Sequence, residues 1–262
     1  MTESPPELPV TDPPPATPSL PEKTAWNAWW TLLWAVAIFV LSQIVVTIGV
    51  TIVAATDGSL GSNPDLKDFA EKVRTVAMDG DVIGALGFLS IFIICPLCWL
   101  VGHFRPGWSG WEYLGNAKVR WFQWPLWAVI TIACMIAFSL VAPHLGLPER
   151  DPSMVAMSNS TQFPILLFLG VAIGAPLIEE FVCRGVLFRG WRESRLGLVG
   201  TIILISLLWA IAHVQYPLLV IGFIFILGIL LGIAREVTGS LWIPVWMHFV
   251  NNGLAAMAML SF

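Results

Sequence analysis

The chain has 262 residues, of which 57% are hydrophobic and only 11% charged, against a usual charged share of about 25% in soluble domains. That balance excludes an ordinary soluble globular protein and indicates an integral membrane protein. A formal charge of −4 with no basic cluster leaves no footprint for a nucleic-acid partner.

Residues 1–23 contain eight prolines and no apolar run, a composition that cannot bury enough surface to offset ordering entropy. Residues 1–24 therefore read as a disordered Pro-rich cytoplasmic tail and 25–262 as a membrane domain. The tail lacks the basic start and early apolar stretch of a signal peptide, so the first apolar segment is expected to persist as a helix. A spanning helix needs about 20 mostly apolar residues, and seven segments qualify: 27–54, 82–104, 122–145, 164–190, 197–214, 217–234 and 241–260. The fold class is all-α, a polytopic membrane protein of about seven transmembrane helices, or eight with a re-entrant or interfacial helix.

Between the first two spans, Pro64 and Asp65 form a helix start, and Leu66, Phe69, Val73 and Val76 fall on one face of a short amphipathic helix over 64–79, suited to lying on the membrane. The brief Gln215-Tyr216-Pro217 link makes the fifth and sixth spans antiparallel neighbours. Tryptophans gather at segment ends (Trp26, Trp29, Trp30, Trp108, Trp111, Trp121, Trp124, Trp127), as interfacial anchors do. Cys95, Cys98, Cys134 and Cys183 all lie in apolar runs and read as small buried hydrophobes. Cys95-Pro96-Leu97-Cys98 has redox spacing without the βαβ surroundings of a redox motif.

Lysine and arginine counts set the orientation. With the N-terminus cytoplasmic, that side holds Lys23, Arg105, Lys118, Arg120, Arg189, Arg192, Arg195 and Arg235, against Lys67, Lys72, Arg74 and Arg150 outside. The C-terminus is then extracytoplasmic. Arg184 stands apart, within the fourth span.

Glu179 and Glu180 lie side by side in the apolar run Phe163–Phe188. Each ionisable group in a bilayer core costs roughly 2.5–3.5 kcal/mol on insertion scales, so such residues face protein or a wet cavity. Glu180 and Arg184, spaced i, i+4, share a helix face, whereas Glu179 is rotated by about 100°. The Glu180–Arg184 pair is open to two readings: an ion pair that only locks helices together, or one that keeps a catalytic neighbourhood charged. Nothing local neutralises Glu179, so it reads as a general base. Pro176 should kink the helix and free the Ala172 carbonyl, and Gly170 with Gly174 signals close helix packing.

Trp209 and His213 on the fifth span, and His248 and Asn252 on the seventh, are each spaced i, i+4, with Asn251 nearby. Polar groups in hydrocarbon must find partners, and a shared cavity is the economical solution. His103 and His144 sit at segment ends and read as interfacial. At about 1.5 Å per residue, Glu179 lies about 15 Å and His248 about 10 Å from the cytoplasmic end, but His213 lies beyond 20 Å, so the fifth span must start deep, tilt or re-enter.

Glu179-Glu180-x-x-x-Arg184, Trp209-x-x-x-His213 and His248-x-x-x-Asn252, in that order, resemble the CAAX protease and bacteriocin-processing group, also called the Abi family, with the protease-like core at about 163–260. The family usually has Phe where this chain has Trp209. The resemblance implies an intramembrane endopeptidase in which Glu179 and His213 activate water, and His248 and Asn252 stabilise the oxyanion, with Glu180 and Arg184 supporting. A carboxylate and an imidazole can take a proton from water, and fixed donors in a dry site stabilise tetrahedral charge. No cofactor is favoured; the alternative is zinc held by Glu179, His213 and His248, although His-Glu-x-x-His is absent. The implied partners are a protein or peptide substrate, membrane-associated or not, and the lipid bilayer, with cleavage expected near the cytoplasmic half. The rivals are a non-proteolytic scaffold or regulator and a proton-coupled transporter using the same polar residues. The sequence lacks the internal symmetry a transporter favours.

Overall fold

The computed structural model describes residues 23–56, 58, 65–148 and 152–260. Nearly all of the Pro-rich tail, Pro64, Arg150 and Phe262 lie outside the described residues. The chain runs through α1 (Ala28–Thr56), α2 (Leu66–Val76), α3 (Gly80–His103), α4 (Gly110–Leu114), α5 (Gln123–Val141), α6 (Pro152–Ser160), α7 (Pro164–Arg192), α8 (Gly197–Ile211), α9 (Leu218–Thr238) and α10 (Trp242–Leu260). The only strand-like pairing among the described residues is one antiparallel bridge, Asn116 to Ser240.

Among the described residues, five helices are long and apolar enough to cross a membrane: α1, α3, α5 with its extension to Leu145, α7 and α9. The sequence indicates seven, and the difference has a physical origin. Helix α8 has 15 residues, about 22 Å at 1.5 Å per residue, against a hydrocarbon core of about 30 Å. Helix α10 has 19 residues, but its apolar run is interrupted by His248, Asn251 and Asn252.

Local chemistry starts the helices where polar residues precede apolar runs. Asp65 caps α2 by accepting from the Asp68 N–H, Asp79 caps α3 through the Asp81 and Val82 N–H groups, and Ser109 with Glu112 forms a capping box on α4. The amphipathic face foreseen for α2 is partly used within the protein. Val76 is buried with Val50 and Ala54 of α1, with Val73 packed against them, while Leu66 remains exposed.

Helix association in lipid depends on close packing more than on apolar burial, because lipid tails are as apolar as the side chains. The small residues of α7 serve that need. A Cβ at Gly170 would lie 2.4 Å from the Gly84 carbonyl oxygen of α3, and one at Gly174 would lie 2.8 Å from that of Gly87. On the other side, Gly228 of α9 meets Ser206 of α8 and Gly232 meets Ile202. The contact ascends one helix as it descends the other, so the two are antiparallel, as the short link requires.

Most of the basic residues gather at one end, while Lys67, Lys72 and Arg74 lie on α2 at the other. Lys23 pairs with Glu112 at 3.3 Å, Arg105 donates to the Thr24 carbonyl at 2.8 Å, Arg189 to the Tyr113 carbonyl at 3.2 Å, and Arg192 pairs with Glu236 at 2.9 Å. Hydrogen bonding by the Ser109 backbone N–H, followed by the Lys23 ammonium, holds the Glu112 carboxyl below its usual range. Trp108 lies beneath both Lys23 and Arg189, which places interfacial aromatic and cationic groups together. Helix α2, the start of α6, the 142–148 segment and the 212–217 turn belong to the other end.

Gly170→Val should force a branched side chain onto the α3 backbone and lower stability by about 1–3 kcal/mol. Thermal unfolding in detergent would show it. Gly222→Val, at a position with nothing within 4 Å, is the control, and equal melting of the two variants would refute the α3–α7 contact.

Candidate active site

Helix α7, which holds Glu179, Glu180 and Arg184, changes backbone register twice. It is π-helical over Leu169–Gly174 and Phe181–Leu187, with α-helical turns before, between and after. Within the first π segment the Ala175 N–H bonds the Gly170 carbonyl, five residues back. The next bond in that series would run from residue 176 to Val171, but Pro176 has no N–H. The Val171 carbonyl is therefore left without that helical partner. Asn252 Nδ2 fills the vacancy at 3.0 Å. A carbonyl can only accept, so this bond fixes the amide orientation, and Asn252 Oδ1 accepts in turn from Asn251 Nδ2 at 2.9 Å. One N–H of the Asn252 amide is left over.

Glu180 and Arg184 are completely buried. Arg184 Nη1 donates to Glu180 Oε1 at 3.0 Å, as the i, i+4 spacing indicates. The same oxygen lies 2.9 Å from His248 Nδ1, a contact invisible in the sequence because the two residues are far apart along the chain. Arg184 Nη2 donates to the Gly228 carbonyl at 3.0 Å, its own carbonyl accepts from Arg235 Nε at 2.9 Å, and its guanidinium lies 4.9 Å from the Trp209 ring centroid. The pair thus locks α7 to α9 and also orients a site histidine.

Glu179 finds a partner on another helix: its carboxylate accepts a hydrogen bond from the Trp209 indole N–H. Counted back from Arg192 on α7 and forward from Gly197 on α8, the two residues lie at nearly the same depth. His213 sits one turn further on, just past the end of α8, with Nδ1 2.8 Å from the Trp209 carbonyl. That carbonyl only accepts, so Nδ1 carries a proton and Nε2 is the ring nitrogen left to face other partners. At the start of α10, the Leu241 N–H bonds the Gly115 carbonyl at 2.7 Å.

A cavity of about 600 Å³ has Trp209, His213, His248, Asn251 and Asn252 in its wall, with Phe138, Phe223, Ile224 and Leu227 among its apolar members. Three of the four residues named as catalytic from the sequence share this wall. Glu179 stands one layer back, against Trp209. A smaller apolar pocket of about 170 Å³ beside Trp124, Trp242 and Trp246 contains no acid, base or nucleophile.

His103 stacks on Trp99 with ring centroids 4.8 Å apart, and His144 is exposed; neither lines the cavity. Among the described residues no three His, Cys, Asp or Glu side chains group as a metal site requires. Glu179 is turned to the Trp209 indole and His248 Nδ1 to Glu180, so the set Glu179, His213 and His248 does not fit zinc as arranged. Nothing in the local sequence singles out Asp81. It accepts from the Thr161 hydroxyl and from the Gln162 and Phe163 N–H groups, the last two at 2.9 Å, pinning the turn that launches α7.

Residues 161–254 match the family model described as "Type II CAAX prenyl endopeptidase Rce1-like". A curated Escherichia coli protein with the description "Uncharacterized 24.3 kDa protein" is 33% identical over 139 residues, 52% of this chain and 61% of its own length. The chain thus spans about three fifths of that relative. No solved structure matches the chain significantly.

Arg184→Ala should leave the Glu180 carboxylate buried without its cation, at a cost of about 3–5 kcal/mol, seen as a large fall in melting temperature and in folded yield. A variant as stable as the parent would show that the pair does not hold the helices.

Proposed function

We propose that this chain, whose residues 161–254 form an Rce1-like type II CAAX prenyl endopeptidase domain, is a multi-pass intramembrane endopeptidase acting on protein or peptide segments at the membrane. The N-terminus is cytoplasmic and the C-terminus extracytoplasmic in this reading, which the basic end described above supports. The observation that carries the reading is the paired immobilisation of His248 and Asn252. Each is tied to α7, one through Glu180 and the other through the Val171 carbonyl, and each keeps a polar group for the cavity.

In the proposed reaction a water molecule loses its proton to the Glu179 and His213 pair, His213 offering Nε2 because Nδ1 is committed to the Trp209 carbonyl. The hydroxide attacks the scissile carbonyl. Its oxygen becomes an oxyanion that receives the spare Asn252 N–H and the Nε2–H of protonated His248, whose positive charge Glu180 stabilises. Collapse breaks the C–N bond, and the proton held by Glu179 and His213 passes to the departing amine. Glu179 must turn from the Trp209 indole, which holds its carboxylate in the resting site, to reach the water. The reaction is metal-free in this proposal.

Cleavage of a peptide library in proteoliposomes, followed by mass spectrometry, tests these roles. Glu179→Gln should lower turnover by about 10²-fold or more. Asn252→Ala should lower it by about 10²–10³-fold with KM little changed. Normal cleavage by Glu179→Gln would remove the base assignment, and the absence of any cleavage by the parent protein would favour a scaffold or a proton-coupled transporter.

The metal-free choice is tested separately. Purified protein should hold less than one zinc per chain and keep its activity in chelator. Stoichiometric zinc lost and restored together with activity would make His213, His248 and a glutamate its ligands.

A further inference from the structure

The cavity is not centred between the two ends of the molecule. Its wall continues from His248 and Asn252 along the last turns of α5 to Ala142, Pro143 and Pro148, and across the 213–217 turn into the first turn of α9. Pro148 and Pro217 are exposed, so this is where the cavity meets the surroundings. Every one of these segments lies at the end opposite Lys23, Arg105, Arg189, Arg192 and Glu236, whose mutual contacts define the basic end. Between the cavity and that basic end lies a sealed layer. Arg184 and Glu180 are wholly buried, Arg235 is 3% exposed and donates to the Leu114 carbonyl, and Leu241 is 1% exposed.

The positive-inside bias assigns the basic end to the cytoplasm. We infer that the cavity is open to the extracytoplasmic side and sealed from the cytoplasm, so that its substrate is an apolar peptide segment arriving from the outer face or outer leaflet. This revises the expectation of cleavage near the cytoplasmic half. The wall chemistry indicates the kind of segment. Around the few polar groups stand Met135, Phe138, Val220, Phe223, Ile224 and Leu227, which offer burial to aliphatic or aromatic side chains, as pockets of this kind do. This inference rests on the peptidase reading for what is done to the segment, but the direction of access does not.

Cysteine accessibility tests it without an activity assay. In a background with Cys95, Cys98, Cys134 and Cys183 replaced by alanine, Val220→Cys reports the cavity wall and Lys118→Cys the basic end. A membrane-impermeant charged thiol reagent applied to intact cells and to inverted vesicles should label Val220→Cys at least tenfold faster from outside, and Lys118→Cys at least tenfold faster from inside. An acetylated, amidated Leu- and Phe-rich peptide added outside should slow labelling of Val220→Cys at least threefold. Labelling of both cysteines from the same side would overturn the position of the opening. Opposite labelling with the sides exchanged would overturn the orientation, and labelling from outside that the peptide does not slow would overturn the substrate class. Loss of peptidase activity in the parent protein would leave all three labelling results in force, so the access inference and the peptidase reading fail independently.

Discussion

The Glu180 carboxylate is the constraint on which the site depends. One oxygen of a completely buried side chain holds both Arg184 and His248, and Arg184 passes the connection to the α9 backbone at Gly228. In hydrocarbon the alternative to such pairing is an isolated charge, whose cost forces the helices carrying the partners together. Three helices that share little local sequence logic are thereby brought to one point, and a histidine ring is oriented as a consequence of charge satisfaction.

The second organising device is a change of backbone register. A helix interior normally consumes its own carbonyls, and Pro176 in an α-helix would free one of them at Ala172. In the π register of α7, Pro176 also leaves the Val171 carbonyl without its helical partner, and the Asn252 amide meets it. The π segments are therefore part of how the site is built: they turn a backbone acceptor toward α10 and lock the side chain that the proposed chemistry needs. Such one-turn π segments are often found at functional sites. The glycines opposite, Gly170 and Gly174 against Gly84 and Gly87, bring α7 close enough to α3 to leave its polar face to α8 and α10.

Trp209 occupies the position where the resembling family usually carries Phe, and its indole N–H makes it more than a wall. It donates to Glu179, its carbonyl accepts from His213, and its ring lies 5.1 Å from that of His248 and beside Arg184. A Phe would keep the ring contacts and the backbone bond but lose the donor to the carboxylate. The site of this chain thus holds its acid group through an aromatic N–H, a polar handle on an otherwise apolar side chain.

The sequence by itself determined the helical membrane class, the position of nearly every long helix, the Glu180–Arg184 pair, the close-packing role of Gly170 and Gly174, and the set Glu179, His213, His248 and Asn252 as candidates. These are properties of composition, of i, i+4 spacing and of single residues that hydrocarbon will not tolerate unpartnered. Only the tertiary structure decided which partners they take. The contact of Glu180 with His248, of Trp209 with Glu179 and of Asn252 with Val171 joins residues 30 to 81 positions apart, and spacing along one helix carries no information about rotation of another. Depth behaved likewise. Residue counting from the ends of separate spans assumes that each begins at the surface, whereas the start of α10 is packed against the protein, with Leu241 1% exposed and its N–H bonded to the Gly115 carbonyl. The end at which the cavity opens follows from that assembly, because it depends on which loops surround the polar wall once the helices have packed.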